Sequence, residues 1–336
     1  MAPETDSQQL SGEPGGEPLT LRVGNSIKER RIDKYLHGRF SNLSRRFLQD
    51  AIKAGTVFVN GKNVRQSFKL SPGDIIELTL PEPPKKEIEP EEIPLDIIHE
   101  DEDMIVLNKQ ADILVHPARG NRHGTLVNAL AFHSDQLSDG LGEFRPGIVH
   151  RLDRNTTGVM VVAKNNTTQW KVAKQFQNRQ VTKTYMAVVH DTPDLTRDRI
   201  NAALGGHPKV REKYAVRPEK GKESITFYEV LEAFRGYSFM LLFPRTGRTH
   251  QIRVHLSHIR HPIVADDMYG GKLVYPWQLE DAEPAVQDPV ISRVALHAHS
   301  IEFVHPSTQK TVKFEAPLPP DMQHLLDLLR KHRKLG

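Results

Sequence analysis

Residues 147–164 read GIVHRLDRNTTGVMVVAK, and the character of this stretch changes half-way along it. Val159 to Ala163 form a short apolar run rich in valine, which predicts a buried strand. The residues before it, Arg151 to Gly158, are polar and turn-prone, which predicts a loop. Loops next to a rigid core strand commonly hold catalytic groups. Asp153 is the only acidic residue of the stretch and is therefore the candidate for such a group.

The residues around Asp153 favour a catalytic role over a structural one. An arbitrary aspartate in a loop caps a turn or pairs with an arginine, and Arg151 and Arg154 flank this one. Residues 150–158, HRLDRNTTG, however, resemble the HRLDxxTSG-type motif of the pseudouridine synthase family that includes the ribosomal large-subunit enzymes. Thr157 replaces the usual serine and keeps a hydroxyl. The resemblance implies that Asp153 is the catalytic nucleophile.

Three further segments extend this resemblance in the expected order. Residues 108–117, NKQADILVHP, are similar to the family's NKPxGxxVHP segment, although Gln110 and Asp112 stand where proline and glycine are usual. We expect this departure to alter the loop and not the chemistry. Residues 182–189, TKTYMAVV, are similar to the family's KxYxAxV segment, and residues 245–271, RTGRTHQIRVHLSHIRHPIVADDMYGG, contain Arg253, which resembles an arginine of a family motif. Separated motifs in order are far more specific than any one alone.

The resemblance also implies roles for three residues beside Asp153. Tyr185 is expected to stack on the target base near the catalytic carboxylate, and Arg253 to pair with that carboxylate. Arg151 is expected to occupy the space left by the base or to hold a phosphate. Without the resemblance, Tyr185 would be a core aromatic and Arg151 part of a structural ion pair. Thr249 is predicted to cap a helix whose buried stripe leaves Arg253 and its neighbour Gln251 outside.

Charge is distributed unevenly along the 336 residues, whose net charge is +4. Residues 1–18 contain four acidic and no basic residues, and we predict that they form a disordered tail. Residues 81–103 contain ten acidic residues, two lysines and several prolines, which predicts an extended linker. The rest of the chain is therefore strongly basic, which fits a polyanionic partner.

Residues 19–80 are predicted to form a small domain of two helices and a hairpin. The segments from Arg31 to Leu36, Ser44 to Arg46 and Val57 to Gly61 resemble the S4 RNA-binding module, which implies an RNA partner. Asn60-Gly61 is a strong hairpin-turn signal, and Ser44 is a candidate helix cap. The alternative is a solvated basic pair of helices. The candidate RNA-binding residues are Arg30, Arg31, Lys34, Arg45, Arg46 and Lys53.

The resemblance sets the expected fold and the remaining domain boundary. It implies an α+β protein in which residues 104–336 form a catalytic domain on a mixed, mainly antiparallel sheet with flanking helices. No run is long enough to span a membrane, residues 1–18 do not form a secretory signal, and there is no cysteine. We therefore expect a cytoplasmic, monomeric protein.

The chemistry implied by the resemblance needs a carboxylate and no cofactor. His250, His255, His258 and His261 invite a metal interpretation, but no HExxH or CxxC pattern accompanies them, so we predict no metal. The expected function is isomerisation of uridines in 23S rRNA, acting on that RNA or on the assembling large ribosomal subunit. The alternatives are another rRNA site, tRNA, or a non-catalytic RNA-binding assembly protein. The presence of Asp153 favours an enzyme.

Overall fold

In the computed structural model the chain divides into two compact units, Met1–Lys86 and Glu87–Gly336. Residues 1–17 of the predicted tail, the start of the predicted linker and the predicted cap Ser44 lie outside the described residues. Of Arg46, the backbone alone is described. The described residues are 18–25, 27, 30–40, 43, 45–80, 88–117, 122–134, 137–138, 145–284 and 286–335.

The first unit contains the helices and the hairpin predicted from its sequence. Asn60 and Gly61 both take positive φ, 50° and 73°, which is the geometry of a two-residue hairpin turn. The strands form a sheet in the order β1-β4-β2-β3, and the helices cover it with Ile32, Leu36 and Leu48. The elements are β1 Leu19–Arg22, α1 Ile32–Arg39, α2 Arg45–Lys53, β2 Val57–Val59, β3 Lys62–Asn63 and β4 Ile75–Leu78.

The second unit is built on one large sheet. Along this sheet the order is β5-β6-β7-β14-β8-β13-β12-β9, with β15 paired to β14, while β10 and β11 form a separate hairpin. Its strands are β5 Ile97–Glu100, β6 Met104–Lys109, β7 Thr157–Ala163, β8 Thr182–His190, β9 Arg197–Asn201, β10 Leu204–Gly206, β11 Tyr214–Val216, β12 Ile225–Phe234, β13 Tyr237–Pro244, β14 Leu296–Val304 and β15 Thr311–Glu315. Its helices are α3 Leu126–His133, α4 Asn166–Gln177, α5 Gln251–His258, α6 Pro276–Leu279 and α7 Pro320–His332.

The pairing of these strands confirms the predicted fold class. Strands β7 and β14 run parallel to each other, whereas the other neighbours in the large sheet are antiparallel. No helix in the described part of the chain is long and apolar enough to cross a membrane. The protein is thus α+β, with a mixed and mainly antiparallel sheet flanked by helices.

The valine-rich run is buried because β7 has a core on each of its faces. Met160 and Val162 pack with α3, whereas Val159 and Val161 pack with Val172 of α4. Every residue of β7 is buried. A strand covered on both sides carries a continuous apolar sequence instead of an alternating one. The predicted strand therefore exists, and it begins two residues earlier than expected, at Thr157.

Residues 88–103 differ from the predicted linker. Ile88, Ile93 and Leu95 pack against the core beside α3, and β5 pairs with β6. The acidic residues also have partners, since Glu91 accepts hydrogen bonds from the backbone nitrogen of Gly124 at 3.0 and 3.1 Å. The apolar residues between the prolines and acids provide enough buried contact to hold the segment on the second unit. Composition alone predicted an extended spacer because it averages over these apolar positions.

Gly158 allows β7 and β14 to approach each other closely. Its φ is +116°, and a Cβ atom built there would lie 2.2 Å from the carbonyl oxygen of Ala298. The three atoms nearest to this Cβ are the O, C and N atoms of Ala298, and because all three belong to the backbone, relaxation is limited. Residues other than glycine are therefore unfavourable at this position for two reasons, the positive φ and the steric clash with Ala298.

We predict that Gly158→Ala destabilises the protein by more than about 3 kcal/mol, because it adds a steric clash to an unfavourable φ. The matched control is Gly236→Ala, where φ is +79° but no atom lies within 4 Å of the added Cβ. That variant should lose only about 1 kcal/mol. Urea unfolding of both variants measures the difference, and equal losses would show that the contact with Ala298 is unimportant.

Candidate active site

Asp153 lies in the loop before β7, on the wall of a cavity of about 520 Å³. Its side chain is 20% exposed, so it is accessible from the cavity but largely shielded from bulk water. Its backbone carbonyl accepts a hydrogen bond from the nitrogen of Thr156 at 3.1 Å, which closes the turn. The backbone of Asp153 thus takes part in the turn, as the structural alternative expected, whereas its carboxylate faces the cavity.

Two buried basic side chains, Lys109 and Arg293, hold the backbone of the Asp153 loop. The Nζ atom of Lys109, which is fully buried, donates to the carbonyl oxygens of Gln110 at 2.8 Å and of Arg154 at 3.0 Å. Arg293 donates through Nη1 to the carbonyl of Asn155 at 3.3 Å. Burial lowers the pKa of Lys109 to about 7, although the negative charge of Asp153 opposes this shift. The loop is thus positioned by side chains from β6 and from the segment before β14.

Arg293 connects the same loop to the C-terminal helix. Its guanidinium forms a two-pronged ion pair with Asp321 of α7, with distances of 2.7 and 2.8 Å. Thr157 is similarly joined to His297 of β14, with 2.9 Å between Oγ1 and Nδ1. Such contacts use the hydroxyl that the threonine shares with serine. The loop therefore depends on residues more than 130 positions away in the chain.

The departure at Asp112 is accommodated by local geometry. Asp112 adopts φ of 62°, the conformation that favours glycine but that aspartate tolerates better than most residues. Its carboxylate accepts a hydrogen bond from Nε of Arg154 at 2.8 Å. The side chain that replaces the usual glycine thus contacts the loop of Asp153. This pair is exposed and is expected to contribute at most about 1 kcal/mol.

Helix α5 supplies the cation opposite Asp153, and its start differs from the prediction. His250, not Thr249, is the residue before the first helical turn, and its φ is 55°. Gln251 is buried: its Nε2 donates to Thr226 Oγ1 at 3.0 Å and its Oε1 accepts from Thr246 at 2.7 Å. The prediction that Gln251 lies outside the buried stripe was wrong. Arg253 also points inward, with 11% of its side chain exposed.

Arg253 is held between two carboxylates. Its Nε and Nη2 atoms each lie 2.7 Å from the oxygens of the buried Asp266, while Nη1 lies 3.4 Å from Oδ2 of Asp153. Its guanidinium also lies 4.9 Å from the ring centre of Tyr269. Burial alone would lower the pKa of Arg253, but the hydrogen bonds and charge of Asp266, with the charge of Asp153, raise it above its usual value. Asp266 therefore positions the guanidinium that faces Asp153.

His250 approaches Asp153 from the same side. Its Nε2 lies 3.8 Å from Oδ1 of Asp153, and its Nδ1 lies 2.8 Å from the hydroxyl of Tyr269. Burial lowers its pKa below the usual value, although the charge of Asp153 opposes this. Sequence reasoning considered His250 only as a possible metal ligand. Its place beside Asp153 follows from the left-handed turn that begins α5.

Tyr185 lies across the cavity on β8. Burial, with the negative charge of Asp153, raises the pKa of its hydroxyl, so the phenol is neutral. Lys183, two residues earlier on β8, also lines the cavity, and burial lowers its pKa to about 8. His150 also lines the cavity and accepts a hydrogen bond from the backbone nitrogen of Val161, and shielding from water together with the charge of Lys183 lowers its pKa to about 3.

The cavity brings all four predicted residues of the site together. Asp153, Tyr185, Arg253 and Arg151 line one space, and Arg151 is the exposed member at its surface. Its walls come from the Asp153 loop, β8 and the segment from Pro244 to Arg253. The cavity offers an aromatic ring, Tyr185, for a planar nucleobase and a carboxylate, Asp153, for the attached sugar. The residues that the sequence had not indicated are Lys109, Lys183, His250, Asp266 and Arg293.

The predicted RNA-binding residues of the first unit fall into two groups. Arg31 and Arg45 both donate to the fully buried Asp33, Arg31 at 3.1 Å and Arg45 at 2.6 Å. Burial would raise the pKa of Asp33, but the hydrogen bonds from Arg31, Arg45 and Gln49 lower it well below the usual range. These arginines thus have a structural partner, and 41% of each side chain stays exposed. Arg30, Lys34 and Lys53 are exposed.

The four histidines that invited a metal interpretation have separate partners or surroundings. The ring of His255 is buried between Thr226 and the carbonyl of Ala202, at 2.9 and 3.0 Å. His261 contacts the carbonyl of His190, and His258 is exposed. Within the described residues, the group with metal-like spacing lies elsewhere and comprises Asp101, Asp103 and His305. Its atoms already form hydrogen bonds at the turn before β6, with 3.0 Å between His305 and Asp101.

Comparison with known proteins identifies the family to which this geometry belongs. The profile of the family described as RNA pseudouridylate synthase matches residues 103–258, and that of the S4 domain matches residues 30–76. An uncharacterized RNA pseudouridine synthase of Chlorobaculum parvum is 42% identical over 319 residues, which cover 93% of this chain and 98% of that protein. The chain belongs to the RNA pseudouridine synthase family. It is therefore an isomerase with an RNA substrate.

Other relatives agree with this assignment. The ribosomal large subunit pseudouridine synthase D of Xylella fastidiosa is 42% identical over 326 residues, which cover 97% of each chain. Among solved structures, human RNA pseudouridylate synthase domain containing 4 is similar, with a TM-score of 0.54 and 26% identity, over 71% of this chain and 94% of that one. The resemblance inferred from the motifs is thus confirmed at the level of the family and of the S4 domain.

We predict that Asp266→Asn destabilises the protein by about 3–5 kcal/mol, because it leaves the buried guanidinium of Arg253 without its charged partner. The matched control is Asp267→Asn, which removes an exposed carboxylate at the next position and should change stability by less than about 0.5 kcal/mol. Denaturant unfolding measures both. A loss below 1 kcal/mol for Asp266→Asn would mean that the pair with Arg253 does not order this part of the site.

Proposed function

We propose that this pseudouridine synthase isomerises specific uridines of 23S rRNA and that Asp153 is its nucleophile. The observation that carries the proposal is the position of the Asp153 carboxylate, which faces a cavity beside a largely buried arginine, Arg253, and a partly buried tyrosine, Tyr185. A group of this kind can act on the sugar of a nucleotide without any cofactor. The proposal keeps both routes open, attack at C1′ and removal of the proton at C2′.

The reaction rearranges bonds within one nucleotide. The N1–C1′ bond of uridine breaks, the uracil turns within the pocket, and a C5–C1′ bond forms. C5 then loses its proton and N1 gains one, so that atoms balance without water. Because no water is activated, a second catalytic carboxylate is not required, in contrast to a glycoside hydrolase. A single accessible carboxylate, Asp153, is consistent with this requirement.

The residues around Asp153 have roles that match the chemistry. Arg253 provides a fixed positive charge, whose position depends on Asp266 and not on the substrate. Such preorganised groups stabilise developing charge without rearranging during the reaction. The neutral phenol of Tyr185 offers a ring on which the uracil stacks. His250 lines the same cavity, with its Nε2 3.8 Å from Oδ1 of Asp153.

The target uridine must leave its helix before it can reach Asp153. Flipping a base costs a few kcal/mol of stacking, which contacts with the protein must offset. Arg151 is exposed at the surface of the cavity, where it can enter the vacated space or contact a phosphate. The remaining basic residues of the S4 domain would hold the surrounding RNA, chiefly Arg30, Lys34 and Lys53, with the exposed parts of Arg31 and Arg45. Arg46 belongs to the same predicted set.

The choice of 23S rRNA rests on the relatives. Several, including the Xylella protein, are named as ribosomal large subunit pseudouridine synthase D and align with nearly the whole chain. We propose that this protein acts in the cytoplasm, as a single chain, on 23S rRNA or on the assembling large subunit. Another rRNA site or a tRNA is the alternative, and mapping of the modified positions distinguishes them.

In a strain that lacks the gene, the wild-type protein should restore defined pseudouridines in 23S rRNA, and Asp153→Asn should restore none. The substitution removes the nucleophile while keeping the size of the side chain, so turnover should fall by at least about 10³-fold. Pseudouridine mapping across rRNA and tRNA measures the restored modification. Tritium release from RNA labelled at C5 of uridine measures the turnover. Affinity for RNA should stay within about threefold.

The control for this experiment is Asp112→Asn, which removes an exposed carboxylate from a residue that contacts the same loop. It should keep activity within about fivefold, because an exposed ion pair contributes at most about 1 kcal/mol. Activity of Asp153→Asn within tenfold of wild type would exclude Asp153 as the nucleophile. Loss of pseudouridine from tRNA alone would transfer the proposed target to tRNA.

The role of the S4 domain predicts a change in salt dependence. Replacing Arg30, Lys34 and Lys53 by glutamine should weaken RNA binding and reduce the slope of log affinity against log salt by up to about 2.7 if all three contact phosphates. Each lost phosphate contact removes roughly 0.7–0.9 from that slope. Filter binding at several salt concentrations measures it.

The matched control removes the same charge from the second unit, through Lys310, Lys331 and Lys334, which are also exposed. If both triple variants reduce the slope equally, net charge alone explains the effect and the S4 face has no special role. An unchanged slope in the first variant would assign RNA docking to the catalytic unit.

A further inference from the structure

Outside the cavity, the large sheet exposes an aromatic pair. Phe227 of β12 and Phe243 of β13 lie directly opposite each other across the two strands. The neighbours Thr226 and Tyr228 are buried, so the ring of Phe227 lies on the outer side, and it is 38% exposed. A large aromatic ring at this level of exposure, beside a second one, is a feature that folding alone does not require.

A cation extends this aromatic surface. The guanidinium carbon of Arg245 lies 5.6 Å from the centre of the Phe227 ring, and the backbone nitrogen of Arg245 donates to the carbonyl of Ile225 at 3.0 Å. Arg199 lies opposite Phe227 on its other side, on β9. Arg245 and Arg199 are exposed and have no carboxylate partner among the described residues. The surface is thus aromatic and positively charged.

This surface adjoins the active-site cavity. Phe227, Phe243 and Arg245 line a depression of about 150 Å³. Val181, Lys183, Pro244 and Arg245 line both this depression and the cavity that contains Asp153. A strand of RNA that places one nucleotide beside Asp153 can therefore place a nearby nucleotide against Phe227 without leaving the protein surface.

Phe227, Phe243, Arg245 and Arg199 together form what we call the Phe227–Arg245 surface. We propose that this surface binds a nucleotide close to the target uridine in the RNA and that the base of this nearby nucleotide stacks on it. Aromatic rings and guanidinium planes stack on nucleobases of any sequence, and the positive charge attracts the adjoining phosphates. An apolar segment of another protein would gain nothing from two arginines that lack acidic partners, so the charge favours RNA. The inference rests on the proposed function in one respect, namely that the target uridine enters the cavity of Asp153.

Phe227→Ala should raise KM for the RNA by roughly tenfold or more and change kcat by less than about threefold, because stacking is lost and the reacting groups are untouched. Phe227→Trp should restore wild-type KM, whereas Phe227→Leu, which is apolar without a π-face, should not. The matched control is Leu231→Ala, which removes an exposed apolar side chain from the same strand and should leave KM unchanged. A kcat of Phe227→Ala within about threefold of wild type also shows that this variant is folded.

Substrates with a single abasic nucleotide near the target uridine identify the stacked base. At one position the abasic substitution should raise KM for the wild-type enzyme and have no further effect on Phe227→Ala, because both changes remove the same contact. Additive effects at every position, or a KM for Phe227→Ala within twofold of wild type, would overturn the proposal. The latter result is also the one expected of a surface for a protein partner.

Failure of the stacking proposal can be distinguished from failure of the proposed function. Loss of the nucleophile by Asp153→Asn removes turnover and leaves RNA affinity, whereas loss of stacking by Phe227→Ala lowers affinity and leaves turnover. If Asp153 is not catalytic, direct RNA-binding measurements on Phe227→Ala and Leu231→Ala still decide whether Phe227 contacts RNA.

Discussion

The ion pair between Arg253 and Asp266 organises the site. Both side chains are withdrawn from water, which is favourable only because two short hydrogen bonds and a ring contact satisfy the guanidinium. This leaves one nitrogen of Arg253 directed at Asp153. The arginine is therefore fixed before any substrate binds, and the weaker 3.4 Å contact with Asp153 can change during a reaction while the stronger pair stays.

Two further buried basic side chains fix the loop of Asp153, the residue that Arg253 faces. Lys109 and Arg293 hold backbone carbonyls of the Asp153 loop, and Arg293 is in turn held by Asp321 at the start of α7. Backbone carbonyl groups shielded from water need donors, and these two long basic side chains provide them from distant segments of the chain. The position of Asp153, the proposed nucleophile, is thus set by contacts with distant segments of the domain, and its side chain faces the cavity.

Charged residues have different roles in different parts of the chain. Arg31 and Arg45 neutralise the buried Asp33, so a basic helical face inferred from charge is partly a structural feature. Residues 88–103, which are acidic overall, are attached to the second unit by their apolar residues. Net charge describes the average over a segment, whereas the structure depends on which side chain within it finds a buried partner.

The sequence by itself determined the family, the two helices and hairpin of the first unit, the buried strand β7 and the four residues that meet around the cavity. These features follow from local patterns and from motifs that keep their order along the chain. The tertiary structure alone decided which residues support them. Asp153 and Arg253 are 100 residues apart, and Arg293 lies 138 residues from the carbonyl that it binds. Helix α5 has eight residues, too few for its periodicity to show that Gln251 and Arg253 face inward. Packing between distant segments determines these contacts, and no local pattern records it.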